Sequence, residues 1–555
     1  MKNNTFFKLF IIILIGLTFR LWFLDKPEGL WNDEYVSWFI ASQTDWNTFW
    51  QKVYENCHMP LYYFYLKIWM FLFTDSDTSL RWSSVLPSVL SIPMMYFVGK
   101  EVKNNNLGLF CAILTALSSF LIYFGQEVRL YSLVFLITSS IIYYFIKAIK
   151  EPSNKNIILF YLSNIVLIIT HTLGIIFSFF IIMIFIIHQI NKKEIEKKLT
   201  IKSLLIVIGS ILLSSSLLYT IATSKNLSQF WSEFSITKIF CNFIDYYSPI
   251  LVNLVSTPKD FLTYFVNNNE INYSFIIFAI IPSIIGLYSL YLSIKEKNEI
   301  INYLIISSSL FFITLMILSI CGKMILVTKY SIEIYPMLIL TSSFGLLSIR
   351  KEILKKILIF IFVGLNLFYL CFSNDSAPKR TRPEGHKALA ELIKDTNLNK
   401  NDTIVFTYYG VDKFERYIEN SKELNTYTIN KFNFNYPLFN GENYYSILQN
   451  GKINHKDFFT EFPNKKFQKY ILNNYISKLK KGDKLGIITL NSVSFISVDK
   501  MNEITSDDKK YQDTSFIFLV FSAVKNNLLY AAKQELKFDT MNSYGDWTLH
   551  VYIKE

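Results

Sequence analysis

Long runs of Ile, Leu and Phe, separated by short polar connectors, follow one another up to about residue 372. Most of these runs approach the roughly 20 residues that a membrane-spanning helix needs. Beyond residue 372 the apolar runs stop, and charged and turn residues are interspersed throughout. The pattern predicts eleven clear spans, at 6–24, 82–98, 107–124, 130–148, 157–170, 172–190, 202–221, 273–293, 301–321, 331–348 and 354–372.

We therefore expect an α-helical polytopic membrane protein of about 11–13 transmembrane helices, with a transmembrane domain over 1–372 and a C-terminal extracytoplasmic α/β domain over 373–555. Composition agrees, because 52% of the 555 residues are hydrophobic. The mean hydropathy of +0.30 is too high for a soluble protein of this charge content. Residues 1–24 lack a small-residue cleavage site, so the first apolar run is interpreted as a retained helix rather than a signal peptide.

The net charge of +12 is carried largely by lysines in the short connectors. Basic loops of membrane proteins face the cytoplasm, so this charge does not indicate nucleic-acid binding. The rule places 25–81 (outer loop 1), 125–129, 170–172, the large outer loop 222–272, 322–330 and the C-terminal domain outside. An extra crossing at Pro60–Thr74 would invert every later loop, so that segment is predicted to be an interfacial or re-entrant helix. The five scattered cysteines form neither a disulfide framework nor a zinc pattern.

Under this topology, charged and aromatic residues at the membrane edge converge on the outer side. Carboxylates can deprotonate or orient a hydroxyl, and cations can hold a phosphate. The arrangement is what a reaction on an anionic, lipid-linked substrate would need. The candidates are Asp33, Glu34, His58, Arg81, Glu127, Arg129, Tyr131, His171, Lys329 and Tyr330.

Structural roles remain open for each of these residues. Asp33 and Glu34 fit a solvated loop pair as well as a catalytic one, and Glu127 with Arg129 fits a structural ion pair. His171 in a tight turn fits a structural histidine, and Lys329 fits a side chain that reaches the interface. Only the joint arrangement favours chemistry.

The order of these elements resembles a known family. An Asp-Glu pair after the first span is followed by His58-Met59-Pro60-Leu61-Tyr62-Tyr63, by Arg81 before Leu86-Pro87-Ser88, and by Gln126-Glu127-Val128-Arg129-Leu130-Tyr131. Weaker matches are Thr170-His171 before Gly174, Phe230-Trp231, and Lys329-Tyr330 before Pro336. Together, over about 6–350, they resemble the GT-C superfamily of membrane glycosyltransferases, and especially bacterial proteins similar to dolichyl-phosphate-mannose-protein mannosyltransferases and aminoarabinose transferases.

The resemblance implies a GT-C fold, a polyprenyl-phosphate-linked sugar as donor, and inverting transfer at the outer membrane face. It assigns Asp33 to the family's catalytic acidic position, His58 to the neighbourhood of the lipid phosphate, and Glu127 with Arg129 to the second active-site loop. The chain departs from the family where Met59 replaces a Pro and where Lys329 replaces an Arg, which keeps the charge but loses the planar fork.

No cofactor is certain from the sequence, and a divalent metal ion stays open because carboxylates are present. The acceptor stays open between a protein, a cell-wall polymer and a glycolipid. A transporter or flippase of lipid-linked glycans is the main alternative and predicts charged or broken helices near the bilayer midplane. The third possible function is a membrane receptor whose C-terminal domain is its sensor.

In the C-terminal domain, strand patterns occur at 402–406, 483–490, 515–521 and 547–553, with a helix pattern at 411–419. The last of these strand patterns alternates strictly and is predicted to be an edge or final strand. The domain shows no catalytic constellation and is predicted to form a lid or to present the acceptor.

Overall fold

The computed structural model describes residues 3–56, 59–192, 208–209, 236–251, 266–267, 270–321, 325–380, 386–396, 398, 401–406, 416–417, 425–427, 465–490, 525–526, 528–544 and 547–555. The chain divides into two compact units. One consists of Met1–Asp25 and Val36–Arg380, and the other of Lys26–Tyr35 and Thr381–Glu555. The domain boundary expected at residue 372 stays a prediction.

The first unit is helical. Its helices are α1 (Asn3–Leu21), α2 (Asn32–Ser42, which begins in the other unit), α3 (Trp46–Glu55), α4 (Leu61–Leu72), α5 (Asp77–Val102), α6 (Asn105–Leu117), α7 (Ser119–Gly125), α8 (Tyr131–Lys150), α9 (Asn154–Ile168), α10 (Gly174–Lys192), α11 (Ile236–Tyr247), α12 (Ile281–Lys295, preceded by a π-helical turn, Ile276–Ile280), α13 (Glu299–Ile320), a 3-10 helix (Thr328–Ile334), α14 (Tyr335–Ser348) and α15 (Glu352–Phe372).

Eight helices of the described part are long and apolar enough to cross a membrane, or nine if a bent pair counts as one span. Each of these helices coincides with a predicted span. The predicted span at 157–170 corresponds to α9, which is only 15 residues long and is not among them. The predicted span at 202–221 lies almost wholly outside the described residues. At 12 residues α4 is too short to span a bilayer, as expected for the segment Pro60–Thr74.

The span predicted at 107–124 is not one continuous helix. α6 and α7 meet at an angle of 58°, with Ser118 extended between them. A helix that ends inside an apolar bundle leaves carbonyl groups unsatisfied. Arg20 of α1 takes two of them, donating to Thr115 O and Ala116 O at 3.1 Å each. The break was not predicted, because the apolar pattern runs through it without interruption.

Small residues allow the central helices to approach closely. A Cβ atom on Gly345 of α14 would lie 1.9 Å from the carbonyl oxygen of Ser289 of α12, so only glycine fits there. One turn further along α12, Ser293 donates to Thr341 O of α14 over 2.6 Å. This backbone-to-backbone packing is typical of membrane helices, where small residues line the interfaces.

Lysines gather at one end of the bundle, at the connectors after α5 and α8. Lys147 lies 3.7 Å from Glu101 and 2.9 Å from Glu151, and Lys150 donates to Glu101 O. The ammonium group of Lys103 lies 5.3 Å from the ring centre of Phe344, at the end of α14. We call this the lysine end.

The second unit contains a five-stranded sheet built from β3 (Thr403–Phe406), β4 (Asn425–Tyr427), β5 (Lys484–Leu490), β6 (Lys537–Tyr544) and β7 (Trp547–Ile553), in the order β4-β3-β5-β7-β6. A separate hairpin, β1 (Val266–Asn267) and β2 (Glu270–Ile271), belongs to the first unit. β3 runs parallel to β4 and β5, whereas β7 is antiparallel to both of its neighbours. Helix α16 (His386–Asp395) packs its Ala388 and Leu392 against the sheet, and α17 (Lys465–Asn474) precedes β5.

The predicted strands at 402–406, 483–490 and 547–553 are confirmed. β7 is the final strand, but it lies inside the sheet, so the edge alternative is wrong. The edge strand beside β7 is β6, whose Phe538 and Met541 are exposed. A strand with so little burial carries no apolar alternation to detect. The strand expected at 515–521 and most of the helix expected at 411–419 lie outside the described residues.

Candidate functional site

Connectors at the end of the bundle opposite to the lysines are tied to one another by hydrogen bonds. Gln126, after α7, donates to Trp22 O at 2.6 Å. Arg81 of α5 donates to Leu24 O at 3.3 Å and is almost completely buried. The backbone N–H of Leu61, at the start of α4, donates to Ile169 O at 3.1 Å. We call this the carboxylate end, because Glu127 and Glu333 are buried in its connectors.

The connector between α7 and α8 carries three of the predicted site residues. Glu127, Arg129 and Tyr131 are all at least 95% buried. A tight backbone turn, with Arg129 N–H donating to Glu127 O at 2.7 Å, presents the two charged side chains within one short segment. The guanidinium of Arg129 donates to Ser37 Oγ of α2 at 3.4 Å and lies 5.8 Å from the ring centre of Tyr131. The predicted second active-site loop is therefore a rigid, buried connector.

Asp33 and Glu34 occupy the first turn of α2, where the helix dipole stabilises negative charge. Glu34 is buried, and its Oε2 accepts a hydrogen bond from the backbone N–H of Trp31 at 3.3 Å, which caps the helix. Asp33 is only partly buried. The adjacent pair thus divides into one carboxylate that stabilises its own helix and one that stays closer to the surface.

The segment carrying these two carboxylates belongs to the second unit. His386 N–H, at the start of α16, donates to Leu30 O at 3.2 Å, and Lys387 N–H donates to Glu28 O at 3.1 Å. The approach requires Gly29, which has a positive φ of 77° and lies where a Cβ atom would come within 2.5 Å of Lys387 Cβ. No sequence pattern indicated that residues 26–35 would join residues 381–555.

His171 forms a contact that the sequence did not predict. It lies in the turn between α9 and α10, and its Nδ1 is 2.5 Å from Oε1 of Glu333, in the 3-10 helix before α14. Glu333 is fully buried, and the His171 side chain is 8% exposed. The available signal was a lone acidic residue in an otherwise apolar predicted span, which usually marks function or a specific partner.

A second buried polar cluster joins α11 to the same 3-10 helix. Thr328 Oγ1 lies 2.6 Å from Asn242 Oδ1 and 2.7 Å from Asp245 Oδ2, and all three side chains are fully buried. Tyr246 Oη donates to Ser331 O at 2.8 Å. Burial raises the pKa of Tyr246 well above its ordinary value, and the carboxylates of Glu333 and Asp245 raise it further, so the hydroxyl keeps its proton and remains a donor.

Lys329 and Tyr330 lie in this 3-10 helix, where the ammonium group of Lys329 is 5.2 Å from the Tyr330 ring centre. His58 and most of the large outer loop 222–272 lie outside the described residues. Within the described ranges, no three His, Cys, Asp or Glu side chains come close enough together to hold a metal ion.

The comparisons with known proteins agree with the expected fold. The family model of dolichyl-phosphate-mannose-protein mannosyltransferases matches residues 57–219. A search of curated proteins found no match.

Two solved structures are similar over nearly the whole chain. The archaeal oligosaccharyltransferase AglB from Archaeoglobus fulgidus, in complex with an inhibitory peptide and a dolichol-phosphate, is 11% identical with a TM-score of 0.50, over 100% of this chain and 74% of that one. ArnT from Cupriavidus metallidurans, bound to undecaprenyl phosphate, is 10% identical with a TM-score of 0.51, over 98% and 97%. The predicted resemblance is confirmed at the level of the fold, and so is the predicted fold class, a multi-pass membrane protein with a C-terminal α/β unit.

Proposed function

We propose that this chain is a membrane glycosyltransferase that takes a sugar from a polyprenyl-phosphate-linked donor and transfers it, with inversion, to an acceptor hydroxyl. One observation carries the proposal. The segment that matches the mannosyltransferase family, 57–219, is the segment that supplies the buried Arg81, Glu127, Arg129 and His171 of the carboxylate end. Buried ionisable residues at the mouth of a helix bundle are costly for stability and mark substrate sites.

The chemistry suits a donor of this class. A polyprenyl phosphate departs as an anion and needs charge stabilisation more than protonation, and Arg81, Arg129 and Lys329 offer cationic groups for it. Asp33 is proposed as the base that takes the proton of the acceptor hydroxyl, since Glu34 already caps α2. Direct displacement of the phosphate by that hydroxyl inverts the anomeric carbon.

We propose that the carboxylate end and the C-terminal unit face the outside of the cell. Support comes from the opposite end, where Lys103, Lys147 and Lys150 cluster, because connectors rich in lysine face the cytoplasm. The acceptor would then be a protein, a cell-wall polymer or a glycolipid at the outer surface. AglB was solved with a peptide, which makes a polypeptide acceptor one arm of the test.

The break between α6 and α7 is a feature that the transporter alternative predicts. In transporters, carbonyl groups freed by such a break bind ions. Here Arg20 occupies the carbonyls of Thr115 and Ala116, and Ser88 Oγ donates to Leu121 O at 3.1 Å. Because these carbonyls are already hydrogen-bonded, the break favours a structural joint over an ion site.

The test is transfer from a panel of radiolabelled undecaprenyl-phosphate and dolichyl-phosphate sugars in membranes carrying wild type, Asp33→Asn or the matched control Asp45→Asn. Asp45 lies in the same outer loop, where it caps α3 by accepting from Thr48 N–H, a role that asparagine also fills. We expect label to leave the lipid with wild type and Asp45→Asn and to stay with Asp33→Asn. Equal turnover by all three would remove Asp33 from the chemistry, and no turnover with any donor would contradict the donor class.

A further inference from the structure

The contact between His171 and Glu333 determines how the imidazole can be used. The carboxylate at 2.5 Å from Nδ1 holds the hydrogen on that nitrogen, because a carboxylate can only accept. The remaining nitrogen, Nε2, makes no hydrogen bond to any described residue, and the His171 side chain is only 8% exposed. The imidazole therefore presents Nε2 to whatever group approaches it, as an acceptor when the ring is neutral and as an N–H donor when it is protonated.

Glu333 is expensive to keep in this position. Its side chain is fully buried, and Oε2 has no hydrogen-bond partner within the described ranges. An unsatisfied buried polar atom costs about 1–3 kcal/mol, and more when charged. A carboxylate that served packing alone would be poorer than a leucine of similar volume, so its arrangement on His171 points to use of the imidazole.

We infer that His171 and Glu333 form a dyad that binds a hydroxyl group of the substrate, with His171 Nε2 hydrogen-bonded to the hydroxyl and Glu333 acting as a positioning residue. The inference rests on the proposed function, and it adds a substrate contact distinct from the phosphate-binding cations and from Asp33. A sugar or an acceptor molecule carries such hydroxyls, and a polyprenyl chain does not.

The position of His171 within the carboxylate end supports this use. The backbone of its turn is bonded to the start of α4, through Leu61 N–H and Ile169 O, and its side chain is bonded to the 3-10 helix that carries Lys329. An imidazole fixed between two connectors of the same end loses little entropy when it binds a ligand.

A second His–Glu pair provides the matched control. At the lysine end, His188 Nδ1 lies 3.6 Å from Glu299 Oε1, and the Glu299 side chain is 54% exposed. The pair consists of the same two side-chain types, but its carboxylate is exposed to solvent, and it lies at the opposite end of the bundle. Glu299→Gln therefore removes the same charge without touching the proposed site.

The experiment measures transfer and thermal unfolding of the full chain in membranes or detergent, using whichever panel donor wild type accepts. The variants are Glu333→Gln, Glu333→Leu, His171→Ala, the double variant His171→Ala/Glu333→Gln, and Glu299→Gln. We expect Glu333→Leu and His171→Ala to lower kcat/KM about tenfold to hundredfold, the scale of a lost substrate hydrogen bond. Glu333→Gln, whose amide oxygen still accepts from Nδ1, should lose less activity at an unchanged Tm. Glu333→Leu leaves the buried Nδ1–H without an acceptor, so its Tm should fall as well.

A double variant no worse than His171→Ala would show that Glu333 acts through the imidazole, since residues working as one unit are not additive. Donor hydrolysis by water, measured without acceptor, separates the two sources of the hydroxyl. If hydrolysis falls as well, the hydroxyl belongs to the transferred sugar; if only transfer falls, with a higher KM for acceptor, it belongs to the acceptor.

Wild-type rates in Glu333→Leu, additive losses in the double variant, or a loss of activity in Glu333→Gln matched by a loss of Tm would each overturn the dyad. In those outcomes wild type still transfers sugar, so the proposed function stands. Failure of wild type with every donor would instead remove the proposed function, and with it the inference.

Discussion

Arg20 of α1 donates through Nε to Ser88 Oγ of α5 at 2.6 Å, and the two residues lie 68 positions apart in the chain. Ser88 in turn donates to Leu121 O, and three of the other guanidinium hydrogens reach Gly16 O, Thr115 O and Ala116 O. One buried cation thereby holds α1, α5 and both halves of the broken span together. The joint satisfies backbone groups that would otherwise be stranded in an apolar environment.

Replacing Arg20 by methionine should therefore destabilise the bundle. The two carbonyls at the end of α6 would lose their donors, at a cost of about 2–4 kcal/mol in total. The measurement is Tm in detergent, compared with Arg350→Met, an exposed arginine at the end of α14. An equal Tm for the two variants would contradict the role of Arg20 as the cap of the broken span.

Gly345→Ala should weaken the packing of α12 against α14. The added methyl group would lie 1.9 Å from Ser289 O, so the helices must separate, and overpacking of this kind costs about 1–3 kcal/mol. Gly364→Ala in α15 is the matched control, because its added Cβ meets no atom of the described residues within 4 Å. That variant should gain about 0.5–1 kcal/mol from helix propensity. The measurement is the Tm of both variants. A lower Tm for Gly345→Ala together with an equal or higher Tm for Gly364→Ala would show that the contact with Ser289 outweighs helix propensity at Gly345.

Arg129→Lys should raise the KM for the lipid donor by about tenfold while the protein stays folded. A lysine keeps the positive charge but loses the planar fork that binds phosphate through two hydrogen bonds. Steady-state transfer at varied donor concentration gives the KM, and Tm reports on the bond from Arg129 to Ser37. An unchanged KM would remove Arg129 from donor binding and favour a purely structural connector.

Lys329→Arg should have the opposite effect. The family resemblance places an arginine at this position, and Lys329 is only partly buried, so a longer side chain fits. If the group contacts the donor phosphate, the fork should leave the donor KM equal or lower. A higher KM, measured beside Lys103→Arg at the lysine end, would indicate that the ammonium group of Lys329 serves another purpose.

His550 in β7 should make the C-terminal sheet less stable in mild acid. Burial lowers its pKa below the ordinary value of 6.5, and repulsion from Lys525 and Lys533 lowers it further. The folded state therefore binds fewer protons than the unfolded state. The contribution of His550 is complete above about pH 6.5 and declines as pH falls below it.

Hydrogen exchange of β7 amides at about pH 7.5 and about pH 5.5, compared with His550→Gln at each pH, checks this. The wild type should lose protection relative to the variant only at the lower pH. An equal ratio of wild-type to variant protection at the two pH values would mean that His550 has the same pKa in the folded and the unfolded state.

Patterns along the chain were sufficient for the described spans, for three strands of the sheet and for part of the site. The apolar runs predicted all the described spans, because a helix buried in lipid needs an apolar sequence whatever its neighbours are. The strict alternation of Trp547–Ile553 predicted β7 for a similar local reason. Arg81, Glu127, Arg129 and His171 were chosen because charges at membrane edges are costly, and all four are buried at the carboxylate end.

Three features depended on the tertiary structure alone. The break at Ser118 is possible because Arg20 of α1 donates to the carbonyl groups of Thr115 and Ala116, and no sequence pattern within 105–125 indicates it. Residues 26–35, with Asp33, belong with the C-terminal unit through backbone bonds to the start of α16. The pairing of His171 with Glu333 spans 162 positions. The periodicity of a sequence shows which face of an element is apolar. Which residues far apart in sequence become hydrogen-bond partners depends on how the helices are arranged in space.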